Sequence, residues 1–137
     1  MKPLRILIIE DEAITVSALK RELANMGYEV AGTASSAHEA MFAAEHSRPD
    51  LVLMDITIAD DYDGVVAAAA IRGQFHIPVV FLTAHEDNAT IERAMSAGPF
   101  GYLVKPFTTP DLKAAIEVAL HRHQSEQETR SKLLTGE

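Results

Sequence analysis

A chain of 137 residues, 47% of them hydrophobic, can bury one apolar core, and its formal net charge of −8 argues against general affinity for nucleic acid or anionic lipid. Cysteine is absent, which excludes disulfides and thiolate metal sites, and the N-terminal residues lack the pattern of a signal peptide. Because no apolar run reaches the length of a membrane span, we expect one cytoplasmic domain without membrane contact or direct nucleic acid binding, whose partners are proteins or cations.

The first predicted elements are a strand and a helix, joined by a short acidic segment. Residues 4–9 are apolar except for one arginine, and a run this short is typical of a strand buried on both faces. Residues 13–26 repeat apolar side chains at helical spacing and end at a glycine. Between them lie Glu10, Asp11 and Glu12, whose like charges repel, so their proximity needs an explanation from elsewhere in the chain.

The same alternation repeats four more times. The later strands are predicted at residues 28–34, 51–58, 79–84 and 100–105, and the later helices at residues 36–46, 64–73, 88–98 and 109–124. At the last helix, Thr109 suits the N-cap and Pro110 suits the first turn. Five strands that alternate with five helices predict an α/β fold, in which helices cover both faces of a parallel sheet and the crossovers are right-handed.

Polar side chains stand at the carboxyl ends of four of the five predicted strands. Glu10 and Asp11 follow the first strand, Asp55 lies near the end of the third, Thr83 near the end of the fourth, and Lys105 ends the fifth. Ligands of doubly wound folds bind outside this edge of the sheet, so we expect these side chains to line one small cleft.

The predicted cleft suits a magnesium ion and a phosphoryl group. Three carboxylates, from Glu10, Asp11 and Asp55, would raise one another's pKa unless a cation joined them, and oxygen ligands without histidine or cysteine favour Mg²⁺ over Zn²⁺. A carboxylate beside that ion can attack phosphorus, and Asp55 is the best-placed nucleophile. Lys105 would supply positive charge, and Thr83 a hydroxyl donor, to the phosphoryl oxygens.

These residues stand in motifs that resemble the receiver domain of the two-component response-regulator family. The motifs are ILIIEDE with its acidic pair, LVLMD, VVFLTA and GYLVKPF, with DG at positions 63–64. The resemblance covers residues 4 to about 123 and implies a flavodoxin-like (βα)5 fold, a five-stranded doubly wound parallel sheet in the order 2-1-3-4-5. We therefore predict a receiver domain at residues 1–123 and a C-terminal helical extension or linker at residues 124–137.

The resemblance also implies what each site residue does. Glu10, Asp11, Asp55 and the backbone carbonyl of Thr57 would bind Mg²⁺. Asp55 would accept a phosphoryl group from a phosphohistidine on a histidine kinase or phosphotransfer domain, with Lys105 assisting. Such a protein catalyses only its own phosphorylation and dephosphorylation, so it is not expected to be a turnover enzyme on an external substrate.

A conformational switch is the last implication of the resemblance. Phosphorylation is expected to draw the Thr83 hydroxyl inward and to let Tyr102 rotate into the vacated space, which alters the face formed by the fourth helix, fifth strand and fifth helix. The Lys105–Pro106 bond is expected to be cis. A downstream protein or attached output module, which the sequence does not identify, would read this face, and a phosphorylation-dependent homodimer is a further option.

Two alternatives stay open. A phosphatase or phosphotransferase of the haloacid-dehalogenase type also uses a strand-end Asp nucleophile and Mg²⁺, but it usually carries a second Asp where this chain has Thr57. A receiver-like protein that never accepts phosphate would act only by binding. The acidic pair after the first strand favours the receiver over the phosphatase, and the complete set of site residues argues against the binding-only alternative.

Overall fold

The computed structural model describes residues 2–56, 63–84 and 88–135, which contain one five-stranded sheet. Its strands are β1 (Arg5–Ile9), β2 (Glu29–Ala34), β3 (Leu51–Asp55), β4 (Val79–Thr83) and β5 (Gly101–Val104). All neighbouring strands are parallel, and their order, β2-β1-β3-β4-β5, confirms the predicted sheet. Every residue of β3 and β4 is buried, and the first four residues of each are apolar, as a strand covered on both faces requires.

Helices cover both faces of this sheet. They are α1 (Ala13–Asn25), α2 (Ala37–Ser47), α3 (Asp63–Phe75), α4 (Asn88–Met95) and α5 (Thr109–Thr135). Because successive strand residues point to opposite faces, the core has two halves. Leu7 and Phe81 pack with α2, α3 and α4, whereas Ile8 and Leu82 pack with α1 and α5. Within the described ranges, no helix is both long and apolar enough to cross a membrane.

Helix α5 differs from the prediction at both ends. Thr108, not Thr109, acts as the N-cap, because its Oγ1 accepts a 3.1 Å hydrogen bond from Asp111 N. Asp111 Oδ2 accepts a 3.2 Å bond from Thr108 N in return. At the other end, the helix continues to Thr135, well past the end that the apolar pattern indicated. The predicted extension is therefore helical where it is described, and the domain boundary placed at residue 123 stays a prediction.

Candidate functional site

The strand register brings the predicted site residues to one edge of the sheet. β1 is paired with β3 up to Ile9, so the residues that follow on the two strands, Glu10 and Asp55, lie side by side. Asp55 in turn is paired with the residue before Thr83, and Thr83 is paired with the residue before Lys105. The carboxyl ends of four strands thus deliver these side chains to the same place, as the sequence predicted.

Glu10, Asp11 and Asp55 form a carboxylate cluster. One oxygen from each side chain lies within 4.8 Å of the others. Glu10 is 3% exposed and Asp55 is 6% exposed, whereas Asp11 faces solvent. Two buried carboxylates lose hydration and repel each other, so the cluster is favourable only with positive charge beside it.

Lys105 supplies positive charge to this cluster. Its Nζ lies 2.6 Å from Glu10 Oε1 and 3.2 Å from Asp55 Oδ2. The backbone N–H of Lys105 donates a 2.7 Å bond to the carbonyl oxygen of Thr83, which ties the end of β5 to the end of β4. The Lys105–Pro106 bond is cis, as predicted. One ammonium group therefore bridges the acids that follow β1 and end β3.

The electrostatics of the site follow from burial. Burial raises the pKa of Glu10 to about 7; the hydrogen bond from Lys105 opposes this rise and the charge of Asp55 adds to it. Burial lowers the pKa of Lys105, but its hydrogen bond to Glu10 and the charge of Asp55 raise it by more, so the net direction is upward. Lys105 therefore keeps its proton, and without a metal ion Glu10 gives up its own less readily than an exposed carboxyl does.

Thr83 and Tyr102 lie on the neighbouring strands β4 and β5. Thr83 is 1% exposed at the sheet edge that carries the carboxylate cluster. Tyr102 is half-buried, lies opposite Phe81 and packs against the half of the core that includes α2, α3 and α4. Thr83 thus shares the edge with Asp55, whereas Tyr102 lies further back along β5; their role as a switch stays a prediction.

Gly64, known from the sequence only as part of a DG pair, packs against the backbone that carries Asp55. A Cβ on Gly64 would lie 2.6 Å from the carbonyl oxygen of Ile56 and 2.8 Å from that of Asp55. Both distances are shorter than van der Waals contact allows, so only glycine lets the start of α3 approach so closely. The sequence contains the DG pair, but only the structure shows why position 64 requires glycine.

The cluster fits a hard divalent cation. Its donors are all carboxylate oxygens, it joins buried and exposed positions, and Lys105 lies on one side of it. Mg²⁺ prefers oxygen ligands and retains waters, and the exposed side of the cluster at Asp11 leaves room for them. The backbone carbonyl of Thr57, predicted as a further ligand, lies outside the described residues.

Comparison with known proteins agrees with this geometry. A family model described as the response regulator receiver domain matches residues 6–117. The transcriptional regulatory protein PdtaR of Mycobacterium tuberculosis is 44% identical over 120 residues, which cover 88% of this chain and 58% of that protein. The phyllosphere-induced regulator PhyR of Methylorubrum extorquens is 37% identical over 122 residues, 88% of this chain and 45% of its own. The chain thus spans about half the length of these curated relatives.

Solved structures show the same likeness. The signal receiver domain of a modulated diguanylate cyclase from Desulfovibrio desulfuricans G20 is 35% identical, with a TM-score of 0.84 over 90% of this chain and 98% of that one. The receiver domain of PhyR from Erythrobacter litoralis is also 35% identical, with a TM-score of 0.75 over 88% and 92% of the two chains. The fold of this chain is therefore shared with receiver domains of known structure.

Proposed function

This chain belongs to the receiver domain family of two-component response regulators, and from that membership we propose that Asp55 is its phosphoacceptor. The observation that carries the proposal is the position of Asp55: a buried carboxylate at the end of β3, 3.2 Å from Lys105 Nζ and inside a cluster of oxygen ligands. A nucleophilic carboxylate needs such a neighbour, because negative charge develops on the phosphoryl oxygens during transfer.

Mg²⁺ is the proposed cofactor. Glu10, Asp11 and Asp55 would hold it, and the family resemblance adds the backbone carbonyl of Thr57. When bound, the ion would neutralise charge on the carboxylates and on the phosphoryl oxygens. These residues supply the oxygen donors, and the burial of Glu10 and Asp55 limits competition from bulk water.

The proposed reaction is transfer from a phosphohistidine to Asp55. A carboxylate oxygen of Asp55 forms a bond to phosphorus while the phosphorus–nitrogen bond breaks, and the imidazole nitrogen keeps that electron pair and takes up a proton. Lys105, already within reach of Asp55, would pair with a phosphoryl oxygen, and the Thr83 hydroxyl would donate to another. The product is an acyl phosphate on Asp55.

The proposed partners follow from this reaction. A histidine kinase or a phosphotransfer domain donates the phosphoryl group, and a downstream protein or attached output module reads the face formed by α4, β5 and α5. A solved relative from Bartonella quintana is described as the anti-anti-sigma factor PhyR, so receiver domains of this kind occur in proteins with protein targets. We further propose a cytoplasmic location, and that the chain turns over no external substrate.

Intact mass spectrometry tests the phosphoacceptor. The chain is incubated with acetyl phosphate and Mg²⁺, and we expect one phosphoryl adduct that is lost without Mg²⁺ and in Asp55→Asn. Asp50→Asn is the matched control, because Asp50 lies just before β3, at its other end, where it accepts a hydrogen bond from Arg5 N. An adduct that persists in Asp55→Asn would overturn Asp55 as the phosphoacceptor, and no adduct at all would overturn the proposal and favour the binding-only alternative.

The same reaction distinguishes a receiver from a phosphatase. Family membership favours the receiver over the haloacid-dehalogenase alternative. Both proteins would form an aspartyl phosphate, but a receiver accumulates it, whereas a phosphatase hydrolyses it at each turnover and releases phosphate from excess substrate. We expect an accumulated adduct whose decay accounts for the phosphate released, and sustained release without an accumulated adduct would contradict this.

A further inference from the structure

Arg72, on α3, joins three parts of the fold at the end of the sheet away from the carboxylate cluster. Its Nη1 donates to the carbonyl oxygen of Gly98 in the turn between α4 and β5. Its guanidinium carbon lies 4.3 Å from the centroid of the Phe100 ring, a cation–π distance. Its Nη2 lies 3.1 Å from Glu126 Oε1 on α5. We call Arg72 and these three partners the clasp.

Gly98 is fitted to the clasp. It has a φ of +68°, a conformation that glycine adopts readily, and a Cβ there would lie 2.8 Å from Arg72 Nη1. The side chain of Arg72 therefore lies directly on the backbone of this turn. Because Arg72 also forms an ion pair with Glu126, a displacement of the turn would change the position of the Arg72 guanidinium relative to α5.

The clasp includes a polar contact with the last part of α5, residues 124–135, which we call the tail. Besides the Glu126 contact, Arg130 Nη1 lies 2.9 Å from Nδ1 of His76, the residue after α3. Leu133 is 79% exposed, so its burial does not hold the tail. Arg72 thus links the tail to α3 and to the turn before β5.

The chain segment that follows Thr83 leads to the clasp. Thr83 ends β4, α4 comes next in the chain, and the N–H of Gly98 donates a 3.0 Å bond to the carbonyl oxygen of Met95, the last residue of α4. Among the described side chains of this segment, Ala94 and Ala97 are buried. Because the N–H of Gly98 is bonded to the carbonyl oxygen of Met95, a shift of α4 moves the turn at Gly98 with it.

We propose that the clasp fastens the α5 tail to the receiver while Asp55 is unphosphorylated and opens when Asp55 is phosphorylated. Movement of Thr83 toward the phosphoryl group pulls α4, α4 carries the Gly98 carbonyl away from Arg72, and Arg72 loses the partner that directs it toward Glu126. The trigger rests on the proposed function of Asp55, whereas the fastening does not.

Hydrogen–deuterium exchange of the unphosphorylated chain tests the fastening. We expect backbone amides of the tail to exchange about five-fold faster or more in Arg72→Gln, which removes the ion pair, the carbonyl bond and the ring contact together. Glu126→Gln, which leaves the contacts with Gly98 and Phe100 in place, should give a smaller increase. Lys113→Gln is the control, because it removes an exposed ion pair with Glu117 on the same helix.

Two results of this comparison overturn the fastening. One is tail exchange in both Arg72→Gln and Glu126→Gln that equals the wild-type rate. The other is an equal increase in Lys113→Gln, which would mean that α5 responds to any lost charge. Exchange in β1 and β3 is read in the same experiment, so that global unfolding of a variant is not taken for release of the tail.

The trigger is tested by the same exchange after phosphorylation, with the adduct fraction measured by intact mass. We expect tail exchange in the wild type to rise to that of Arg72→Gln, no further rise in phosphorylated Arg72→Gln, and no response in Asp55→Asn. An adduct without faster tail exchange overturns the trigger and leaves the phosphoacceptor intact. Absence of an adduct refutes the phosphoacceptor and the trigger together, while the fastening is decided by the first comparison.

Discussion

Lys105 Nζ lies closer to Glu10 than to Asp55, at 2.6 Å from the Glu10 carboxylate and 3.2 Å from the Asp55 carboxylate. The shorter bond goes to the more deeply buried side chain, where an unpaired charge costs most. Lys105 therefore lies beside Asp55, although its shorter ion pair is with Glu10. We infer that a phosphoryl group on Asp55 would draw the ammonium group across a short distance.

Replacing Lys105 should slow phosphorylation. We expect Lys105→Gln to reduce the rate of adduct formation from acetyl phosphate by about 100-fold, the usual effect of removing one donor to a developing negative charge. Time-resolved intact mass at saturating Mg²⁺ measures this rate. Lys113→Gln, an exposed lysine on α5, should react at the wild-type rate. If Lys105→Gln reacted within about threefold of wild type, Lys105 would not stabilise the transferred group.

Gly64 predicts a backbone effect on the same site. In Gly64→Ala, the new methyl group would meet the carbonyl oxygens of Ile56 and Asp55 at 2.6 and 2.8 Å, so α3 or the end of β3 must move. We expect the free energy of unfolding to fall by about 1–3 kcal/mol and adduct formation to slow, because the displaced backbone carries the phosphoacceptor. Urea denaturation and intact mass measure the two effects.

Gly73 is the matched control on the same helix. A Cβ there would have nothing within 4 Å, so Gly73→Ala adds helix propensity without a clash and should stabilise by about 0.5–1 kcal/mol. Equal stability changes in Gly64→Ala and Gly73→Ala would show that the contact with Ile56 relaxes freely and that the close approach has no structural role.

Asp11 allows the metal proposal to be tested without removing a buried charge. Mg²⁺ that binds only the folded chain raises its melting temperature, in proportion to the logarithm of the ion concentration above the dissociation constant. Loss of an outer-shell partner of a metal ligand typically lowers metal affinity about 10- to 100-fold. Because Asp11 would bind the ion directly, we expect Asp11→Asn to weaken Mg²⁺ binding by at least that much. Glu12→Gln is the control, since Glu12 is outside the cluster. Equal Mg²⁺ dependence in Asp11→Asn and wild type would exclude Asp11 as a ligand.

The side chains that meet at the sheet edge could be predicted from sequence, because their meeting depends only on which strands are parallel neighbours. Once residues 4–9 and 51–55 are parallel neighbours, the residues after them must meet, so Glu10 and Asp55 needed only the strand assignments. The strand order did not follow from those patterns and came from the family resemblance. Which of two side chains Lys105 approaches more closely depends on side-chain conformation, which sequence spacing does not determine.

The sequence predicted a helical extension or a linker after residue 123 but could not decide between them, for a different reason. The sequence after residue 124 is charged and has no regular apolar stripe, so local signals favour a frayed end. The structure holds this part through Glu126 and Arg130, each of which contacts a residue 54 positions earlier in the chain. Contacts between such distant residues leave no local pattern. The N-cap of α5, by contrast, had a local signal: Thr108 and Asp111 are spaced as in a capping box, which favours Thr108 over Thr109.

His123 predicts how stability depends on pH. Its ring packs edge-on against Phe100, with centroids 5.8 Å apart and planes at 85°. Burial lowers the pKa of His123; the charge of Glu126 opposes this, while Arg72 and His76 lower it further. The unfolded chain therefore takes up a proton at His123 at higher pH than the folded chain does. As pH falls below the ordinary histidine value of about 6.5, protonation favours the unfolded state, so the free energy of unfolding declines.

We expect His123→Gln to lose less stability than wild type between pH 7.5 and pH 5.5, as measured by urea denaturation without Mg²⁺. His121→Gln, at an exposed position on the same helix, is the control for replacing a histidine with glutamine. Glu10 also titrates in this range, and because its pKa is raised in the folded state, its contribution lowers the free energy of unfolding as pH rises. Glu10 is present in all three proteins, so this contribution cancels in the comparison. If the slopes of His123→Gln and wild type were equal, the ring against Phe100 would take up its proton as readily as an exposed histidine does.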